Sequence, residues 1–242
     1  MFSQNSILNT LKNTLHFHRI IINDSTGFNL LKEFADEFFV SGGSASPSAI
    51  KIQLQHELLS WNVYESWYFF WNKNDVMETD SRPKDLKLVD LGYHKIDYLK
   101  KIDANGASYI SKVKSNFSLY SKNKNPELNV NGEIKKKTEY IKIDILELMK
   151  PLAEGETIEL KDIYIGSKKE LKNRLIITKL TEENKRRREL IHKENIRKKK
   201  RVLTQERFDF NAINAYITNV NDKILSKHDI YIYFKMANRD NV

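Results

Sequence analysis

An α/β core interrupted by a β-rich insertion is the fold class that this 242-residue sequence predicts. Two short apolar runs, Arg19-Ile20-Ile21-Ile22-Asn23-Asp24 and Leu86-Lys87-Leu88-Val89-Asp90, each end in an aspartate with a glycine two or three residues on. Such runs read as buried strands that deliver a carboxylate to the strand end, with Gly27 and Gly92 supplying a sharp turn. A stretch of helical spacing separates the second run from another alternating strand, as expected of a layered α/β core. From about residue 115 to 180 the character changes, and turns bearing Asn, Lys and Gly separate short strand-like pieces.

In chain order, residues 1–18 read as a short polar helix or tail. Ser41–Ser48 is a loop by composition and lacks the Gly-Lys-Ser/Thr ending of a phosphate-cradling loop. Ala49–Leu58 alternates apolar and polar residues, the period of a half-buried strand, and Trp61–Trp71 is aromatic and β-branched enough to pair. Ile96–Ile102 has helical spacing and stops near Asn105-Gly106. Ser108–Lys114 alternates as a strand with its lysines on one side. Within the insertion, strands are expected at Tyr140–Ile145, Thr157–Leu160, Ile163–Ile165 and Arg174–Lys179. Residues 181–201 form a charged helix, Asn214–Val220 a strand, and Ser226–Met236 a last helix. The expected division is 1–114 for the first part of the core, 115–180 for the insertion, and 181–242 for the basic helix and the last, incomplete part of the core.

Lys and Arg outnumber Asp and Glu by 41 to 32, a formal charge of +9, which favours polyanionic partners. No apolar run approaches the ~18–20 residues of a spanning helix, so no membrane partner is expected. The N-terminus lacks a basic stretch followed by an apolar core, and the absence of cysteine excludes disulfides and thiolate metal sites and fits a reducing cytoplasm. Between Thr181 and Arg201 ten basic residues stand against four acidic ones: Lys185, Arg186, Arg187, Arg188, Lys193, Arg197, Lys198, Lys199, Lys200 and Arg201 against Glu182, Glu183, Glu189 and Glu194. Such a cluster neutralises phosphates and gives salt-sensitive, sequence-independent affinity for nucleic acid. The alternative is a solvated helix with i, i+4 ion pairs such as Glu189–Lys193.

Phosphodiester cleavage needs an activated water or hydroxyl and stabilisation of charge on the attacking and leaving oxygens. Divalent ions held by carboxylates do both, and Mg²⁺ asks only for oxygen ligands on rigid elements. Asp24 and Asp90 have that chemistry if their strands are neighbours. The alternative is that each caps a helix or bonds its own backbone at a turn. The histidines (His16, His18, His56, His94, His192, His228) show no metal-binding spacing. Trp61, Trp67 and Trp71 read as core before they read as base-stacking platforms. Ser25 and Ser111 lack a recognisable nucleophile elbow.

The order of these blocks resembles the DDE transposases of bacterial insertion sequences, in the branch named after insertion sequence four. The first block of that family is similar to Arg19–Phe28 with its Asn23-Asp24-Ser25-Thr26-Gly27, the Gly42-Gly43 loop and Ala49–Gln53. The second is similar to Val89-Asp90-Leu91-Gly92-Tyr93 followed by Gly106–Lys114. Ile143–Ile145, Tyr164–Gly166, Arg174–Ile176 and Ile217–Val220 resemble its inserted β region and the strand that follows, so the resemblance covers about residues 15–235. It implies a ribonuclease-H-like mixed sheet with flanking helices. It also implies Asp24 and Asp90 as catalytic ligands of Mg²⁺, or of Mn²⁺ in its place. Lys112, Lys114, Lys185, Arg186, Arg187, Arg188, Arg197, Lys198, Lys199, Lys200 and Arg201 would contact DNA. The implied partners are insertion-sequence ends and target DNA in the bacterial cytoplasm, at the nucleoid, with a homodimer or pairing with full-length transposase.

One part of the family pattern departs. A glutamate is expected on the helix after the Thr-Asn-Val strand, spaced from a Tyr and an Arg before it and a Lys beyond. Counting from Tyr233 puts Met236 and Asp240 at the Arg and Glu positions, and counting from Phe234 gives Ala237 and Asn241. The amino-terminal DNA-binding region usual in the family is not recognisable either. The resemblance therefore implies a copy truncated at both ends and catalytically impaired. The rival expectations are a non-catalytic DNA-binding regulator of full-length transposase, a remnant without function, and a metal-dependent nuclease on the same fold.

Overall fold

The computed structural model describes residues 16–39, 46–58, 60, 62–70, 80–199 and 204–237. Residues 1–15 of the polar stretch expected at 1–18, the loop residues 40–45, Trp61, Trp71, Lys200, Arg201 and Asp240 lie outside them. Two compact units divide the chain: the described residues up to Ser111 with those from Ile232, and Lys112–Tyr231.

In the first unit, β1 (Arg19–Asn29), β2 (Ala49–Glu57), β3 (Asn62–Phe70), β4 (Asp85–Val89) and β5 (Ser108–Lys112) form a sheet in the order β3-β2-β1-β4-β5. The β1–β2 and β2–β3 pairs are antiparallel, whereas β1–β4 and β4–β5 are parallel. Helix α1 (Ile96–Ala104) makes the crossover that a parallel β4–β5 pair requires. This is the mixed sheet with flanking helix of a ribonuclease-H-like core. β4 is buried along its whole length, as expected of a strand covered on both faces. Ile20, Ile21, Leu86, Leu88, Leu99, Ile102 and Ile110 pack its interior.

Asp85 opens β4 under cover and accepts from Arg19 Nε and Nη2 at 2.8 and 2.5 Å and from the Arg82 amide at 2.8 Å. Helix α1 stops where its sequence says, and Gly106 takes a φ of +69° there. A Cβ at Gly106 would meet Pro83 only at ordinary contact, 3.7 Å, so the cost of a side chain is backbone strain alone. Gly106→Ala is expected to lower stability by about 1 kcal/mol and Gly106→Asn by less, read as shifts of the urea midpoint.

The first strand corrects one expectation. β1 does not end at Asp24 but runs on through Gly27 to Asn29, paired with β2 from Ile21↔Glu57 to Asn29↔Ala49. Neither Gly27 nor Gly92 has positive φ, which among the described glycines belongs to Gly106, Gly132, Gly155 and Gly166. A paired strand supplied the conformation that the polar Asn23–Gly27 sequence does not favour by itself.

In the second unit the order is β10-β9-β8-β6-β7, antiparallel throughout. These strands are β6 (Leu119–Lys122), β7 (Tyr140–Lys142), β8 (Thr157–Ile165), β9 (Leu171–Lys179) and β10 (Ile213–Thr218). The two pieces expected at Thr157–Leu160 and Ile163–Ile165 are one strand, bulged between Leu160 and Ile163, with Asp162 at φ +58°. The strand expected at Tyr140–Ile145 stops at Lys142. Asp144 then caps a short helix, α2 (Ile145–Met149), accepting from the amides of Leu146 and Glu147. Helices α3 (Glu182–Lys199), α4 (Gln205–Asp209) and α5 (Lys227–Ala237) follow.

Candidate active site and nucleic-acid surface

The parallel register of β1 and β4 aligns the two aspartates. Arg19 lies opposite Asp85, Ile20 opposite Leu86, and Ile22 opposite Leu88. Continued by two residues, the same offset sets Asp24 against Asp90, the residue that follows the end of β4. Strand alternation gives Asp24 the face of Ile20 and Ile22, while Asp90 follows the end of β4 and opens the next turn. β1 outlasts β4 here, so the edge opens and both aspartates are exposed.

The backbone around them is held from behind. Asn23, buried beside Asp24, donates from Nδ2 to the Tyr98 hydroxyl on α1 at 2.8 Å. The turn after Asp90 closes through the Tyr93 amide on the Asp90 carbonyl at 3.0 Å. Four residues on, buried His94 shares a 2.7 Å hydrogen bond between Nδ1 and Ser111 Oγ at the end of β5. Neither Asn23 nor His94 was legible as a positioning residue, because each stands beside other polar residues and its role emerges only from the hydrogen bond it makes in the fold. Glu57 at the end of β2 accepts from the amides of Ile20 and Ser60 and fixes the far end of the same hairpin.

Two exposed carboxylates on adjacent strands suit Mg²⁺, which is commonly held by one or two carboxylates, waters and substrate phosphate oxygens. Among the described residues no group of three or more Asp, Glu, His or Cys gathers to hold a metal.

The basic residues fall in three situations. Lys112 ends β5 and Lys114 follows two residues later, both partly exposed. On α3 the side chains of Arg186, Arg187 and Arg197 are exposed, and Lys185 reaches Glu182 at 3.2 Å. Lys198 and Lys199 complete the last turn of α3. Arg188, expected with its neighbours to contact DNA, is instead turned to the protein. Its Nη1 donates to the Ile213 carbonyl at 2.9 Å and its Nη2 to Asn214 Oδ1 at 2.6 Å. Burial pulls its pKa below the usual arginine value. It fastens α3 to β10, so one arginine of the run is structural. Of the tryptophans, Trp67 lies within β3.

The strand order is that of a ribonuclease-H-like mixed sheet with a flanking helix. Residues 72–235 match the family described as Transposase DDE domain, and the chain belongs to that family. It is 56% identical to a transposase for insertion sequence element IS1151 from Clostridium perfringens, over 98% of this chain and 51% of that protein. It is 35% identical to a transposase for insertion sequence element IS231B from Bacillus thuringiensis, over 91% of this chain and 47% of that protein. The chain thus spans about half the length of these curated relatives. Among solved structures, the cryo-EM structure of the piggyBac transposase synaptic complex with hairpin DNA aligns with a TM-score of 0.45 at 9% identity, over 97% of this chain and 45% of that one. Among the described residues no helix is long and apolar enough to cross a membrane.

Proposed function

We propose that this chain acts in DNA transposition, as a DDE-type domain for metal-assisted cleavage and joining of DNA strands at insertion-sequence ends. The observation that carries this reading is the parallel β1–β4 register, with Ile22 opposite Leu88, which continued by two residues would bring Asp24 and Asp90 to one sheet edge. In it, Asp24 and Asp90 hold Mg²⁺, or Mn²⁺, against the scissile phosphate. Bound there, the ion supplies Lewis-acid stabilisation of the attacking and leaving oxygens. Lys112 and Lys114 contact phosphates, and Lys185, Arg186, Arg187 and Arg197, with the lysines and Arg201 at 198–201, track the duplex. Two copies, or one copy with a full-length transposase, bring two element ends together.

A second reading is a DNA-binding regulator without catalysis. It draws on the basic run of α3, whose exposed arginines suit phosphates without any metal. The two readings separate by incubating end-labelled element DNA with the chain in Mg²⁺ or in EDTA. Metal-dependent nicks support the first. Duplex binding without nicks at any metal concentration overturns it and leaves the second.

Both readings require phosphate contacts on α3. Duplex affinity is expected to fall linearly on a log–log plot against salt, with a slope near −0.9 for each phosphate neutralised. Replacing Arg186, Arg187 and Arg197 together by Gln is expected to shallow that slope by about three. An unchanged slope would remove α3 from the interface.

A further inference from the structure

The outer strands of the second unit carry a face that the proposed chemistry does not use. Tyr120 on β6 lies opposite Lys142 on β7 and Tyr164 on β8, and Tyr164 lies opposite Lys172 on β9. One row further along, Lys122 lies opposite Tyr140. Strand alternation gives these six residues one side of the sheet. The other side takes Leu119, Ile163, Ile165 and Leu171, all buried. The core therefore claims the aliphatic side, and tyrosines interleaved with lysines are what the sheet presents outward.

The three rings are half-exposed and form a group. Tyr140 and Tyr164 meet edge to face with centroids 5.1 Å apart. Lys169, from the β8–β9 turn, holds its ammonium 5.0 Å from the Tyr120 ring and 5.1 Å from the Tyr140 ring. Lys122 stands 5.9 Å from the Tyr164 ring. Lys169 does this from a backbone φ of +56°, a conformation that Gly or Asn would adopt at less cost. The strain falls on the residue that places a cation between two rings.

The geometry points to a binding face for single-stranded DNA, with unpaired bases stacking on Tyr120, Tyr140 and Tyr164 and the lysines meeting the phosphates between them. Every base offers a π-face, so aromatic rings spaced among cations accept a strand without reading its sequence. A duplex keeps its bases stacked inside and offers these rings nothing. An exposed ammonium–ring contact is weaker than a base stack, so a base displaces Lys122 or Lys169 from its ring and leaves that ammonium for a phosphate. The face rests on the proposed function only in taking DNA as its partner, and it uses neither aspartate nor α3.

The test is fluorescence anisotropy of the full chain with a labelled 20-nucleotide strand and with the duplex of the same sequence. Tyr140→Ala is expected to weaken single-strand binding about tenfold, Tyr140→Phe to keep it within about twofold, and neither to change duplex binding. The wild-type chain supplies a readout independent of any folding defect. A strand carrying 5-iododeoxyuridine, irradiated on the protein, should attach to peptides containing Tyr120, Tyr140 or Tyr164. Cross-links confined to other peptides would overturn the proposal, as would parallel loss of single-strand and duplex binding in Tyr140→Ala, or tighter binding of the RNA strand of the same sequence. Loss of the α3-dependent duplex affinity alone would count against the proposed function and leave this face standing.

Discussion

Asp24→Asn and Asp90→Asn are each expected to reduce Mg²⁺-dependent nicking of element-end DNA on the order of a thousandfold, while duplex affinity changes little. The argument is electrostatic. Each substitution keeps the size of the side chain but removes one of the two charges that the parallel register brings to one edge. Metal-assisted stabilisation of the oxyanions contributes several kcal/mol to such reactions, and each 1.36 kcal/mol is a factor of ten in rate. Both side chains are exposed, so the fold should lose no more than about 0.5 kcal/mol. A readout free of catalysis accompanies the rate. Mn²⁺ at a hundred times its dissociation constant should stabilise the wild-type chain by about 2.7 kcal/mol, and either variant should lose most of that thermal shift. Nicking and metal stabilisation that survive both substitutions would show that the pair is not the ligand set. A wild-type chain that binds Mn²⁺ through these residues without nicking would favour the regulatory reading.

How that pair could be seen in the sequence, and how far, is instructive. The apolar runs before Asp24 and Asp90 announced two buried strands because Ile20, Ile21, Leu86 and Leu88 need cover on both faces. Their pairing was not legible, since one sequence carries no register. The offset that sets Arg19 against Asp85, and Ile22 against Leu88, emerges only when the sheet exists. The polar stretch Asn23–Gly27 misled in the other direction. It has turn composition, yet every residue of it lies opposite a residue of β2 as far as Asn29, and tertiary pairing overrides local preference.

The basic cluster shows a second limit. A helix polar around its circumference says nothing of which cations face water. Arg186 and Arg187 do, whereas Arg188, next in line, bonds the Ile213 carbonyl and Asn214. The tyrosine face was missed for a related reason. A strand as short as β6 shows too few alternations to be recognised, and one sequence does not give its pairing with β7 and β8, so the shared face of Tyr120, Tyr140 and Tyr164 had no sequence signature. The stop of α1 fared better because its signal is local, and Gly106 sits just past the helix. Asp144, in contrast, caps α2 where a strand was expected.

Arg174→Ala is expected to cost about 3–5 kcal/mol, the largest stability loss of any single substitution considered. Arg174 leaves β9 almost buried, with 8% of its side chain exposed against 16% for its partner Glu159. Its Nε donates to Glu159 Oε1 at 2.6 Å, and its Nη1 donates to the carbonyls of Val220 and Leu225 at 2.8 and 2.9 Å. Alanine would strand a carboxylate and two carbonyls away from water, each of which then bears its own desolvation cost. Arg174→Lys keeps a charge but cannot reproduce the fork that serves three acceptors, so it should recover only part of the loss. The pair Arg174→Met with Glu159→Gln removes the stranded charge yet leaves both carbonyls, and should fall between Arg174→Ala and wild type. Urea midpoints of the four proteins measure this ladder, and hydrogen exchange locates it. Amides between Asn221 and Ser226, the turn that leads from β10 into α5, should lose protection first, because Arg174 bonds carbonyls at both of its ends. A midpoint for Arg174→Ala within about 1 kcal/mol of wild type would mean that water replaces the guanidinium without loss. The turn would then owe its shape to its own backbone bonds, from the amides of Ile224 and Leu225 to the Asn221 carbonyl.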